Sequence, residues 1–291
     1  AQKIAKESDI SILFMGTPDS YDREGFDRKN IYLPDNQIKL LKEISKVQKN
    51  VIVIISNGSP IIIPPWYNYA DASLEAWLTG QASGGAVADI LFGIENPSGK
   101  LTSTCPVQLS DNPTYLDYLD SEDKLQYKEG IFVGYRYYDK KNMKVAFPFG
   151  FGLSYTTFNY TDLKLSKEIM REHDRLEVKF KIKNTGKYFG KETAQVYLKK
   201  LISNAQTSEK ELKAFLKISL FPDEEKEVCF VLNSRDFSYY DVTAKDWIVD
   251  SGVFQILIGK SSRDICLTEK IYMKSSYIRK IKYTRETLIG K

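Results

Sequence analysis

The feature that most constrains this chain is a change of hydrophobic period near Leu163. Before it, short apolar runs alternate with stretches of helical spacing; after it, apolar and polar residues alternate one by one. A segment built on one period does not settle into the architecture of the other, so the change predicts two domains. The length agrees, since 291 residues make two domains of the usual size of about 100–200 residues.

In the first half, Ile10-Ser11-Ile12-Leu13-Phe14-Met15 reads as a buried strand. Ile38, Leu41, Ile44 and Val47 then recur at helical spacing behind Pro34, a residue suited to a first turn. Val51 to Ile55 is a second strand, ended by Asn57-Gly58. A further helix is predicted from Ser83 to Phe92, with Ala86, Val87, Ile90 and Leu91 on one face, Ser83 able to cap it and Gly93 stopping it. Strands separated by crossover helices predict an α/β sandwich domain over residues 1–110, a mostly parallel sheet with flanking helices. Trp66 and Trp77 are expected to pack in its framework.

In the second half, Leu176, Val178, Phe180 and Ile182 alternate with polar neighbours, and Asn184-Thr185-Gly186 turns into Ala194 to Leu198. Glu227 to Leu232 and Val253 to Ile258 follow as strands. Short strands at this spacing with no helical pattern between them predict an all-β sandwich of immunoglobulin or fibronectin III kind over 161–275, with a tail at 276–291. Between the domains, 111–160 reads as an ordered linker. Ten aromatic residues from Tyr115 to Phe151 would not stay in water, so it should pack on both neighbours.

Composition removes several function classes. The net charge of +4 is small beside 42 basic and 38 acidic residues spread along the chain, so neither nucleic acid nor an anionic membrane is an expected partner. Val51–Ile55 and Pro60–Pro65 fall far short of the roughly 20 apolar residues that span a bilayer. Ala1 opens inside an amphipathic segment with no signal core, so the true amino terminus is expected to lie upstream of it. Cys105, Cys229 and Cys266 are odd in number and widely spaced. They suit neither a disulfide framework nor a zinc site, and read as buried small hydrophobes in a reducing compartment, which favours the cytoplasm. His173, the only histidine, sits among charges and reads as a surface residue. Gly150-Phe151-Gly152 lacks the third glycine and the lysine of a phosphate cradle. No cofactor and no metal is expected.

Four segments carry a resemblance. They are Tyr21 to Arg28 (YDREGFDR); Gly80 to Gly93 (GQASGGAVADILFG) running on to Asn96 to Leu101 (NPSGKL); Glu129 to Asp139 (EGIFVGYRYYD); and Phe147 to Thr156 (FPFGFGLSYT). The sandwich adds Asn184-Thr185-Gly186 and Ser238-Tyr239-Tyr240-Asp241. In this order they resemble the carboxyl-terminal portion of glycoside hydrolase family 3, which pairs an amino-terminal barrel with an α/β sandwich and often a fibronectin-like domain. Ala82-Ser83 departs from the more usual acidic version of its motif. No segment resembles the part of the family's barrel that bears the nucleophile.

The resemblance implies a retaining β-glycosidase, β-glucosidase-like, that removes terminal non-reducing sugars from a β-glucoside or related oligosaccharide. Such hydrolysis needs two carboxyl groups about 5–5.5 Å apart, one to attack the anomeric carbon and one to protonate the leaving oxygen and then activate water. The family's acid/base glutamate maps to Glu24, while the nucleophile would come from the missing barrel, leaving the isolated chain inactive. Arg23, Asp27 and Arg28 would tune Glu24, with Asp27 and Arg28 expected to pair. Tyr21 and Phe26 suit a sugar subsite, although ordinary packing explains both equally well, and Arg23 and Asp27 are further substrate-binding candidates. The alternative is a non-catalytic module that binds carbohydrate or a partner protein.

Overall fold

The computed structural model describes residues 1–21, 25, 28, 30–116, 127–201 and 207–276. The first domain holds α1 (Gln2–Glu7), β1 (Ser11–Gly16), α2 (Asp35–Ser45), β2 (Val51–Ser56), α3 (Pro64–Tyr67), β3 (Ala72–Glu75) and α4 (Ser83–Leu91). Its sheet has the order β1-β2-β3 and every pairing in it is parallel. Helix α2 buries Leu41 and Ile44 on one face, against Met15, Val51, Val53 and Trp66. Helix α4 covers the other face, where Val87 and Leu91 meet Ile52, Ile54, Leu74 and Ala76. The α/β architecture follows from β2, whose Val51, Val53, Ile54 and Ile55 are all buried because both its faces are covered.

The chain then forms β4 (Cys105–Pro106), α5 (Tyr135–Lys140) and β5 (Val145–Phe147), and β4 pairs with β5. The sandwich comprises β6 (Phe158–Leu165), β7 (Ile169–Arg171), β8 (Leu176–Asn184), β9 (Gly190–Lys200), β10 (Glu211–Leu220), β11 (Glu225–Leu232), β14 (Gly252–Gly259) and β15 (Ile265–Lys274), with the small hairpin β12 (Tyr239–Asp241) and β13 (Asp246–Ile248) beside it. A sheet ordered β10-β9-β14-β15-β7 faces one ordered β11-β8-β6. The inward residues of β8, Leu176, Val178, Phe180 and Ile182, are at most 1% exposed and meet Val196, Ile256, Ile258 and Ile271 across the core.

Strand β9 departs from alternation, with every residue from Glu192 to Leu198 buried. Ala194, Val196 and Leu198 enter the sandwich core, and the opposite face is covered by the aromatic segment before the sandwich. Tyr135 stacks on Phe149 at 4.9 Å and meets Tyr197 edge-on. Gln195 donates to the carbonyls of Gly150 and Lys260, and Tyr197 Oη donates to its Oε1. Gly150 sits at φ +81°, where a Cβ would fall 2.2 Å from Gln195 Oε1, so glycine is required both for the turn and for the approach. On the other side Phe147 meets the Tyr67 ring of α3 at 5.5 Å.

An ion pair closes the boundary. Lys100 Nζ lies 3.3 Å from Glu192 Oε2, with side chains 13% and 3% exposed, and also donates to Gly152 O. Tyr160 Oη donates to the other oxygen of Glu192. Asn96 accepts from Ser154 Oγ and Tyr155 N and donates to Phe189 O. Removing one partner of a buried pair strands the other's charge, so Lys100→Met should lower stability by about 3–5 kcal/mol. The double variant Lys100→Met, Glu192→Gln should recover a large part of that loss, with urea unfolding midpoints as the measurement.

Candidate active-site edge

Because β1, β2 and β3 run in one direction, the loops that follow them leave from a single edge of the sheet, the edge where α/β proteins place functional groups. At its first corner Gly16 approaches β2 so closely that a Cβ there would fall 2.0 Å from Ser56 O. Gln37, in the first turn of α2, donates to Gly16 O and accepts from Gly16 N, both at 3.0 Å. The loop that leaves is tied down at its far end as well. Arg28 Nη1 donates to Ser59 Oγ at 2.6 Å, and Ile62 N donates to Ile31 O at 2.8 Å.

Of the sequence-derived candidates, Tyr21 stands on this loop, 37% exposed, its N–H bonded to Pro18 O. Glu24, Arg23, Phe26 and Asp27 lie outside the described residues. The expected Asp27–Arg28 pair falls partly outside them too; Arg28 itself bonds Ser59, on the loop after β2.

The second and third loops bring together a group the sequence reading missed. Asn57, fully buried at the end of β2, donates to Ser59 O and hydrogen-bonds the Glu75 carboxyl at the end of β3. Its Oδ1 meets no donor among the described residues. Glu75 Oε1 also accepts from Trp77 N at 3.2 Å, while Ser56 Oγ donates to Trp77 O at 3.0 Å. Trp77 is thereby held at φ +48° and is half-buried, with Leu78 beside it 74% exposed. Trp66 does pack in the core as expected, 1% exposed with its ring N–H donating to Ile62 O, but Trp77 belongs to neither core cluster of this domain. The signal for Glu75 was its place at the end of a third strand. Ala72-Ser73-Leu74-Glu75 is too short and too polar to show a period.

Burial pushes the Glu75 carboxyl up from 4.5 to about 7, against the opposing pull of its bonds from Trp77 and Asn57. This edge thus holds a carboxyl able to keep its proton near neutral pH. Among the described residues no group of three or more His, Cys, Asp or Glu side chains could hold a metal.

Other expectations are corrected. Helix α4 has no side-chain cap: a 3-10 turn over Gly80–Ala82 runs straight into it, and Ser83 Oγ instead accepts from Thr79 Oγ1. Cys105 is buried, but Cys229 faces solvent from β11. A cavity of about 500 Å³ lies on the sandwich, walled by α5, β9 and β14, and its charges are paired internally, Asp139 to Lys210 at 2.7 Å and Lys199 to Glu209 at 3.1 Å.

A parallel α/β sheet with loops anchored along one edge is fastened here to a fibronectin-like sandwich, an arrangement that the family comparisons place among carboxyl-terminal domains of glycoside hydrolases. Residues 1–155 match the glycosyl hydrolase family 3 C-terminal domain, and 192–262 match the fibronectin type III-like domain. The chain belongs to glycoside hydrolase family 3. It is 50% identical to thermostable beta-glucosidase B of Acetivibrio thermocellus, over 95% of this chain and 36% of that protein. It is 39% identical to an exo-alpha-(1->6)-L-arabinopyranosidase of Bifidobacterium breve, over 94% of this chain and 36% of that protein. The crystal structure of the Bifidobacterium adolescentis GH3 beta-glucosidase superposes with a TM-score of 0.90 at 37% identity, covering 96% of this chain and 42% of that one. The chain therefore spans well under half the length of these relatives.

The raised pKa of Glu75 sets a sign. The folded chain binds this proton more tightly than the unfolded chain, so the contribution is complete below about pH 4.5 and is lost as pH rises through about 7. Glu75→Gln removes the titration, and the variant's urea midpoint should fall less between pH 5 and pH 8 than the wild type's.

Proposed function

We propose that the protein to which this chain belongs hydrolyses terminal non-reducing β-linked sugars with retention, β-glucosides foremost, and that Glu24 is its general acid/base. The observation that carries the reading is the loop of residues 17–31, held by Gln37 at one end and by Ser59 and Ile62 at the other, leaving the functional edge of a parallel sheet. An acid that must protonate a leaving oxygen and then activate water has to be held in place, and the described residues on either side of the Glu24 segment are anchored, Gly16 by Gln37, and Arg28 and Ile31 by Ser59 and Ile62. Relatives named as beta-glucosidases, at 50% identity and at 37% identity with a TM-score of 0.90, support the reaction class.

In this proposal the nucleophile comes from polypeptide outside the chain, the barrel domain that the resemblance implies. Arg23 and Asp27 set the ionisation of Glu24, and Tyr21 and Phe26 border the sugar. Sugar identity is the most open variable, because relatives at similar identity include arabinopyranosidases. The substrate panel should therefore include aryl arabinopyranosides.

The test uses the complete protein and the isolated chain side by side. The complete protein should hydrolyse 4-nitrophenyl β-glucoside and the isolated chain should not. Glu24→Ala should cut kcat/KM on cellobiose by about 100-fold to 10,000-fold, the usual weight of a general acid. The loss should be far smaller with activated aryl leaving groups, and azide should restore rate by attacking the glycosyl intermediate. An unchanged rate on cellobiose would remove Glu24 from the role. Binding of cellobiose by the complete protein without any turnover would favour a non-catalytic module.

A further inference from the structure

Trp77 is held in an unfavourable backbone conformation from both sides. A bulky residue at φ +48° costs about 1–3 kcal/mol, and such strain persists only where the surroundings enforce it. Here the enforcement is specific: Glu75 takes the Trp77 N–H, Ser56 Oγ supplies a donor to its carbonyl, and fully buried Asn57 fixes Glu75.

Trp77 belongs to neither core cluster of this domain. The core under α4 ends one residue earlier, at Ala76, and Trp77 lies half-buried, at the edge where all three loops leave. Its indole N–H donates to no described residue, unlike that of Trp66, so it remains available to a ligand hydroxyl. A flat apolar face with a polar tip, fixed before any ligand arrives, is suited to the C–H face of a sugar ring.

We infer that Trp77 is a binding platform for the ring of the leaving group, with Glu75 and Ser56 as the positioning residues that hold it. This rests on the glycosidase reading above: the acid that protonates the leaving oxygen is proposed on the neighbouring loop of the same edge, so a ring seated here belongs to the leaving group.

The experiment compares, in the complete protein, cellobiose, whose leaving group is a sugar ring, with methyl β-glucoside, whose leaving group has none. Trp77→Ala should lower kcat/KM for cellobiose about 10-fold, the equivalent of roughly 1.4 kcal/mol, and change that for methyl β-glucoside less than about twofold. Trp77→Leu keeps apolar bulk but loses the flat face, and should show the same selective loss if the alanine variant fails to fold. Glu75→Ala should reproduce the selectivity, whereas Glu75→Gln, which keeps the acceptor oxygen, should restore near wild-type ratios. Equal losses on both substrates, or none in the leucine variant, would overturn the inference. A wild-type protein inactive on both substrates would instead overturn the glycosidase reading.

Discussion

The carboxylate of Glu192 is almost sealed from water, and the joint between the two domains is organised around supplying it with a cation and a donor. Lys100 reaches it from the α/β side, Tyr160 from within the sandwich. Burial, with the nearby carboxylate, drives the Tyr160 hydroxyl far above the usual tyrosine range, so it stays protonated as the donor to Glu192. Around this pair lie the Asn96 bonds, the Gly150–Gln195 contact and the aromatic contacts of Phe147 and Tyr135. Much of what makes these segments recognisable is thus accounted for by fastening: Asn96, Lys100, Tyr135, Asp139 and Gly150 each bond or pack across an inter-element boundary.

A parallel sheet gathers its loop ends on one side, and here described residues of three of these loops are cross-linked by Gln37, Ser59, Asn57 and Glu75. This edge also carries a carboxyl that titrates near 7 and a strained tryptophan, two departures from ordinary structure that tend to be kept at functional sites.

How much of this was legible depended on what each residue's environment did to the pattern. Strand β8 shows a clean period of two because one face meets the core and the other meets solvent. Strand β9, covered on both faces, loses that period, and only its apolar stretch Ala194 to Leu198 stood out. Glu75 was invisible because nothing local marks a four-residue strand, and its significance comes from Asn57, eighteen positions away. Trp77 looked like Trp66 in sequence; backbone geometry separates them, since only one turns its ring into the core. Ser83 offered the chemistry of a cap, but the preceding 3-10 turn left no gap for it to fill. The Tyr21 to Arg28 motif was legible as a resemblance, and its anchoring by Gln37 and Ser59 emerges only in three dimensions.

The shared pair at the joint has a bearing on heredity. A break introduced between Leu153 and Phe158 would hand one fragment a lysine without its counterion and the other a carboxylate in a greasy pocket. Recombination at that point yields two damaged halves, whereas exchange of the whole span transfers a working unit. In this chain the sheet and the sandwich therefore depend on each other across that break.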